Sequence, residues 1–201
     1  TADSRQVYRG MDVGTDKPAS EERQAVPHRL IDLVDPDESF NAGLYRRQAI
    51  DEIERLYRDC RLPLVVGGTG LYVRTLLKGL CEAPQADPIM RKALRQEAED
   101  QGYDRLYARL VDVDPVIAAR LHPRDESKVI RALEVYQLSG RRMSEFQQEH
   151  GFAERPFSTL IIGLNRDRDA LYRRIEERID WQLAHGLIEE TQQLLIQGHQ
   201  R

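Results

Sequence analysis

The stretch LPLVVGGTG, residues Leu62 to Gly70, decides the fold class. A short β-branched run from Leu62 to Val66 ends at two glycines and a threonine, and an apolar helical pattern follows from Leu71. Such a run, bounded by turn residues and flanked by helical patterns, is typical of a buried parallel strand. The glycines let a ligand approach the backbone, and Thr69 lies near the first turn of the next helix, where an anion is favoured. A tight strand-to-helix turn without a ligand explains the glycines equally well.

The rest of the chain shows the same alternation of strand and helix. Residues 28–34 and 158–164 are predicted strands, and apolar residues recur at helical spacing over 42–60 and 70–80. The order strand, helix, strand, helix predicts an α/β core with a parallel sheet flanked by helices.

The segment between the core strands has a wholly helical pattern. Two aspartate–proline pairs, which begin at Asp87 and Asp114, are typical of a helix N-cap followed by proline at the first helical position. We therefore predict an all-helical insertion over 86–155, in an α/β core formed by 1–85 and 156–201.

A long helix is predicted after the strand at 158–164. Its apolar residues recur at helical spacing and are expected to face inward: Leu171, Ile175, Ile179 and Leu183. Arg178 lies three residues after Ile175, at the edge of this stripe. Its side chain either extends along apolar surface or directs the guanidinium into the crevice above the sheet.

The composition limits the classes of protein that remain. No apolar run approaches the roughly 18 residues that a membrane span needs, so no membrane association is expected. Two cysteines fit a reducing cytosol and a cytoplasmic location, and the histidines have no metal-ligand spacing. The net charge of −4 gives no global signature of nucleic-acid binding. The segment from Arg120 to Arg142 is locally basic, which fits either an RNA contact or a solvated helix face of mixed charge.

The N-terminal residues look like the end of a strand and the turn after it. No start methionine or earlier strand precedes them, so the sequence is expected to be a fragment. Asp3, just past the strand end, is placed for the ligand crevice of an α/β sheet. The alternative is an aspartate that caps a turn or a helix.

Several stretches together resemble the bacterial tRNA dimethylallyltransferases, which are also called tRNA isopentenyltransferases or IPP transferases. They are DSRQVYRGMDVGT (3–15), VGGTGLY (66–72) and RALEVY (131–136), connected by PHRLID (27–32) and RLHPRD (120–125) in the same order as in the family. The resemblance covers nearly the whole chain, and as a set these motifs are highly specific.

The resemblance implies a P-loop NTPase-like core whose helical insertion binds the anticodon stem-loop of tRNA. The implied reaction transfers a dimethylallyl group from dimethylallyl diphosphate to N6 of the adenosine on the 3′ side of the anticodon. Asp3 resembles the general base, and Thr69 and Arg178 resemble the groups at the diphosphate. A monomer is expected. The implied tRNA-contact positions are Asp3, Ser4, Arg5, Gln6, Thr69, Arg91, Ser127, Lys128, Val129, Ile130 and Arg131.

The chain departs from the family pattern at both ends. The glycine-rich phosphate loop that should precede Asp3 is not in the sequence, and neither is the part expected after Arg201. The resemblance also implies Mg²⁺, but neither its ligands nor the phosphate-loop residues can be assigned to positions in this chain.

Three other functions compete with this interpretation. An adenylate isopentenyltransferase of cytokinin synthesis performs the same chemistry on a free nucleotide, which needs no second domain. A small-molecule P-loop kinase would consume ATP instead of dimethylallyl diphosphate. A non-catalytic RNA-binding module would bind tRNA without prenyl transfer.

Overall fold

The computed structural model describes residues 1–199, and these residues form ten α-helices. In chain order the helices are α1 (Ser20–Ala25), α2 (Ala42–Arg58), α3 (Gly70–Lys78), α4 (Pro88–Gln101), α5 (Tyr103–Val113), α6 (Pro115–Ala118), α7 (Glu126–Ser139), α8 (Met143–His150), α9 (Arg168–Ala184) and α10 (Leu187–Ile196). The chain divides into two compact units, one made of Thr1–Lys78 with the segment from Arg155 onward and the other of Gly79–Glu154.

The parallel sheet predicted from the sequence is not confirmed. Within residues 1–199 the structure has an isolated parallel bridge between Tyr8 and Val34 and no continuous strand. The predicted strands at 28–34, 62–66 and 158–164 are irregular or extended chain instead.

The two most apolar runs show why they do not form strands here. Leu62 is 89% exposed, and Leu160 and Leu164 are 88% and 97% exposed. A parallel strand is stable when neighbouring strands bond both of its edges and helices cover both of its faces. In the described part of the chain, 62–66 and 158–164 are not covered in this way. An apolar run identifies a candidate for a buried strand, but its burial also requires neighbouring strands and helices, which the run itself does not determine.

The N-terminal segment nevertheless pairs with two of the predicted strand regions. The amide of Arg9 donates to the carbonyl oxygen of Val34 at 2.9 Å. The amide of Ala2 donates to the Val66 oxygen at 2.7 Å, and the Ala2 oxygen accepts from the Thr69 amide at 3.0 Å. The start of the chain is thereby held against the carboxyl end of the apolar run that precedes α3.

The core of this unit lies between α2 and α3. Tyr45, Ala49 and Ile53 are buried on one face of α2, which confirms the middle of the helical stripe predicted over 42–60. Cys60, at the end of that stripe, is exposed and lies beyond the end of α2. The ring of Tyr72 on α3 stacks on that of Tyr45, with centroids 4.2 Å apart and an interplanar angle of 12°. These contacts fix α3, and with it the turn that contains Thr69.

The inward-facing stripe predicted on α9 is wrong for this structure. Its four apolar members are between 43% and 49% exposed: Leu171, Ile175, Ile179 and Leu183. The reason is that the run at 158–164, which should face them, is not part of a sheet. A polar contact anchors α9 instead, because the buried Gln182 side chain donates to the Val13 oxygen at 2.8 Å.

The unit Gly79–Glu154 contains α4 to α8 around one apolar core. The core side chains come from four of these helices: Leu94, Leu106, Leu110, Ile117, Val129, Ile130 and Leu133. Asp87 caps α4 by accepting from the Ile89 amide at 2.8 Å. Asp114, 1% exposed, caps α6 by accepting from the Ile117 amide at 3.1 Å. Both predicted aspartate–proline N-caps are therefore confirmed.

Candidate functional site

Thr69 and the N-terminal turn lie together, as the candidate site requires. The Thr69 hydroxyl oxygen accepts a hydrogen bond from the Ser4 amide at 2.9 Å and lies 3.3 Å from the Ser4 hydroxyl. Thr69 directly precedes α3, whose first amides carry the positive end of the helix dipole. The structure thus groups one aspartate, two hydroxyls and a helix N-terminus.

The carboxylate of Asp3 is partly engaged by its own turn. Its Oδ1 atom accepts from the Arg5 amide at 2.7 Å and from the Gln6 amide at 3.2 Å. This is the capping role named above as the alternative for Asp3. Among the described residues both hydrogen bonds go to Oδ1, so Oδ2 keeps its capacity to accept a proton.

Tyr72 lies close enough to Asp3 to respond to its charge. Burial, with smaller contributions from the neighbouring Tyr8 and Asp3 side chains, raises the pKa of the Tyr72 phenol to about 12. Tyr72 is therefore neutral at physiological pH.

Arg178 is linked to the same turn through the loop that follows it. The Gln6 side chain donates to the carbonyl oxygens of Thr15 and Asp16, at 3.2 and 2.9 Å. The Arg178 guanidinium lies 3.5 Å from the Asp16 carboxylate, and both side chains are about half exposed. Within residues 1–199, Arg178 makes no hydrogen bond or ion pair with Asp3 or Thr69.

The loop that carries Asp16 is fixed by two residues that the sequence analysis did not identify. The Glu190 carboxylate accepts from three consecutive amides, those of Asp12, Val13 and Gly14, at 2.6, 2.7 and 3.0 Å. This is a backbone nest for an anion, here filled by a side chain of the same molecule.

Lys17, whose side chain is 1% exposed, is the second of these residues. Its ammonium donates to the carbonyl oxygen of Tyr8 at 2.5 Å and to the carboxylates of Asp12 and Asp32. No motif marks Lys17 or Glu190, because their partners lie at a distance along the chain.

The implied RNA-contact residues of the other unit lie on α4 and α7. Ser127 is exposed, and Lys128 is 66% exposed and paired with Asp125. The side chains of Val129 and Ile130 are buried in the helical core, so they can support such a contact only by holding α7 in place.

Arg91 and Arg131 meet at the carboxylate of Glu134. Arg91 donates to both carboxylate oxygens, at 2.9 and 3.0 Å, and Arg131 donates to Oε2 at 2.6 Å. In the sequence these two arginines are implied RNA contacts 40 positions apart, with no predicted relation to each other. The structure brings them together around Glu134, which no sequence motif marked as a site residue.

The described residues contain no group of three or more His, Cys, Asp or Glu side chains that could hold a metal ion. The residues at the candidate site therefore do not assign the implied Mg²⁺ to a position. The same residues include no helix that is long and apolar enough to cross a membrane.

The chain is similar to members of one characterised protein family. The family model for IPP transferase matches residues 6–201. The tRNA dimethylallyltransferase of Geobacter sulfurreducens is 48% identical over 198 residues, which are 98% of this chain and 64% of that relative. The tRNA dimethylallyltransferase of Thermomicrobium roseum is also 48% identical, over 98% of this chain and 60% of its own length. The chain thus spans less than two thirds of either relative.

Solved structures lead to the same family. The full-length tRNA isopentenylpyrophosphate transferase of Bacillus halodurans is 38% identical, with a TM-score of 0.62 over 99% of this chain and 61% of that one. A eukaryotic dimethylallyltransferase acting on tRNA is 31% identical, with a TM-score of 0.81 over 96% of this chain and 48% of its own. The fold is therefore similar to that of tRNA isopentenyltransferases, and the chain belongs to the IPP transferase family.

Proposed function

We propose that the protein transfers a dimethylallyl group from dimethylallyl diphosphate to N6 of the adenosine 3′ of the anticodon in tRNA. One observation carries the proposal: the 2.9 Å hydrogen bond from the Ser4 amide to Thr69 Oγ1. It holds the neighbouring carboxylate, Asp3, beside a hydroxyl at the start of α3. The names of the relatives support the same reaction.

Asp3 supplies the general base in this proposal. The lone pair of adenine N6 is delocalised into the ring, so the amine becomes nucleophilic only as its proton is removed. As the bond from N6 to the allylic carbon forms, the N6 proton passes to Oδ2 of Asp3, while Oδ1 keeps its bonds to the Arg5 and Gln6 amides.

Thr69 and Arg178 stabilise the leaving group. The allylic C–O bond breaks with both electrons going to the diphosphate, so negative charge grows on its oxygens. A hydroxyl, the first amides of α3 and a guanidinium are suited to meet that charge. The contact of Arg178 with Asp16 joins two half-exposed side chains at 3.5 Å, so releasing it costs little.

The helical unit is proposed to bind the anticodon stem-loop. Because the net charge of the chain is −4, binding to RNA phosphates requires a locally basic surface. The exposed Lys128, together with Arg91 and Arg131, provides such a surface. RNA loops present unstacked bases, and the target adenine must leave its stack to reach a crevice.

The finer fold assignment is also part of the proposal. We propose a P-loop NTPase-like core formed by 1–85 and 156–201, with 86–155 as the tRNA-binding insertion. The parallel bridge between Tyr8 and Val34 supports a parallel sheet around the site. Mg²⁺ and a monomeric state rest on the resemblance alone.

A transfer assay with matched acceptors tests the function. The full-length protein is incubated with labelled dimethylallyl diphosphate and an anticodon stem-loop RNA, with the same RNA carrying guanosine 3′ of the anticodon, or with AMP. We expect label on N6 of the first RNA only. Label on AMP would identify an adenylate isopentenyltransferase, and RNA binding without transfer would identify a binding module. ATP consumption in a parallel reaction supplied with ATP would identify a kinase.

A further inference from the structure

The carboxylate of Glu134 is saturated with hydrogen-bond donors although its side chain is 0% exposed. Oε1 accepts from the Asp87 amide at 2.7 Å and from Arg91 Nε at 2.9 Å. Oε2 accepts from Arg91 Nη2 at 3.0 Å and from Arg131 Nη1 at 2.6 Å. A carboxylate has about four acceptor positions, and all of them are used here.

These bonds make the carboxyl an anion despite its burial. Burial favours the neutral acid, but the donors from Arg91, Arg131 and the Asp87 amide together outweigh it, and the pKa of Glu134 lies below its usual range. One negative charge therefore stands between two positive ones, and the cluster keeps a net charge of +1.

Both arginine side chains are held at Glu134 and are partly exposed to solvent. The Arg91 side chain is 34% exposed and the Arg131 side chain is 28% exposed. Arg131 is held at a second point, since its Nη2 donates to the Pro84 oxygen at 2.6 Å. Each guanidinium has five N–H groups and uses two of them in these bonds, so three remain for a ligand.

We infer that Glu134 is a positioning residue for RNA binding, which orients the guanidiniums of Arg91 and Arg131 toward phosphate oxygens. This inference rests on the proposed function. An arginine binds phosphate best through two parallel N–H groups, which requires its plane to be set. A side chain that is already ordered loses less conformational freedom on binding.

The positioning role and charge alone predict opposite effects of Glu134→Gln on the affinity for RNA. Glu134→Gln removes a negative charge beside an RNA surface, which by charge alone should tighten binding. If Glu134 positions the arginines, the same change should weaken binding roughly 10-fold, since it removes charge-assisted bonds that set both planes. Binding of the anticodon stem-loop is measured across a salt series.

Glu97→Gln is the matched control. Glu97 pairs with Arg109 at 2.7 Å in the same helical unit, and its side chain is 28% exposed. Its substitution changes the charge by the same amount without touching Arg91 or Arg131. We expect Glu97→Gln to bind as tightly as wild type or tighter. Equal effects of the two substitutions on affinity would overturn the positioning role.

A second variant covers the case in which Glu134→Gln fails to fold. Arg91→Lys keeps the charge but cannot reproduce the fork that meets both carboxylate oxygens, and we expect roughly 5-fold weaker binding in a protein that remains folded at the assay temperature. Wild-type affinity for Arg91→Lys would refute the inference. If instead the wild-type protein fails to bind the stem-loop, the proposed function fails first, so the two failures are distinguishable.

Discussion

The carbonyl oxygen of Ala2 occupies the place where a side chain at Gly67 would begin. A Cβ atom built on Gly67 would lie 2.2 Å from that oxygen, closer than any real contact. The absence of a side chain therefore allows the N-terminal segment to pack against the glycine turn. The bond from Ser4 to Thr69, on which the proposed site depends, follows from this close approach.

Gly67→Ala should separate the N-terminal turn from Thr69. The backbone of Ala2 would have to move, so we expect a lower melting temperature and a transfer rate at least roughly 10-fold below wild type. Gly68→Ala is the matched control, since a Cβ there meets nothing within 4 Å. Similar transfer rates for the two variants would contradict the close-packing argument.

Arg178→Ala should slow transfer without unfolding the protein. Loss of one group that stabilises developing charge typically costs about 10²-fold in rate. The melting temperature should change little, because the contact with Asp16 is 3.5 Å long and half exposed. Arg173→Ala, which removes another exposed arginine from α9, is the control. A large loss of stability with normal activity per folded molecule would make Arg178 structural.

Lys128→Ala should reduce the salt dependence of RNA binding. Each phosphate contact to a single-stranded segment contributes a slope of about 0.7 in a plot of log affinity against log salt. Lys128 is 66% exposed, so its removal leaves the helical core intact. Lys92→Ala, at another exposed position of the same unit, should leave the slope unchanged. An unchanged slope for Lys128→Ala would exclude it from the RNA interface.

Local rules allowed the helices and their ends to be predicted from the sequence. The caps at Asp87 and Asp114 depend on residues two or three positions away, and the stripe of Tyr45 and Ala49 depends on helical periodicity. The 62–66 run was predicted to be a buried strand but is exposed. Local rules could not decide this, because a strand needs partners from distant parts of the chain.

The candidate site shows the same limit. Asp3 and Thr69 were each predicted to follow a strand end, where the ligand crevice of an α/β sheet lies. The hydrogen bond from the Ser4 amide to Thr69 could not be predicted, because it joins residues 65 positions apart. Glu134 was missed because, three residues after Arg131, it has the spacing of an ordinary surface ion pair. Its burial and its contact with Arg91, 43 residues away, depend on the packing of α4 against α7.

The contribution of Glu134 to stability should disappear in acid. The pKa of its carboxyl is below the ordinary value of 4.5 in the folded protein, so the unfolded state binds the proton first. The stabilisation is therefore present above about pH 4.5 and is lost as pH falls through the folded pKa. Urea unfolding at several pH values should show the difference between wild type and Glu134→Gln shrinking below that point. A difference that is constant with pH would assign the effect to packing.

Asp3→Asn tests the general base directly. Asparagine keeps an acceptor oxygen for the Arg5 and Gln6 amides and caps a turn nearly as well as aspartate, so the melting temperature should be retained. It cannot take the N6 proton, so we expect kcat to fall by about 10²- to 10⁴-fold. Affinity for tRNA should change much less, because an anionic side chain contributes no attraction to phosphate.

Single-turnover transfer at saturating RNA distinguishes the two possible roles of Asp3, general base and turn cap. Ser4→Ala is the matched control, since it removes a hydroxyl from the same turn and leaves the hydrogen bond from the backbone amide of residue 4 to Thr69 Oγ1 in place. If Asp3 is the base, only Asp3→Asn loses the chemical step, and raising the pH does not restore it. If Asp3 only caps the turn, the step proceeds at close to the wild-type rate, because the turn is preserved; that result would remove Asp3 from the chemistry.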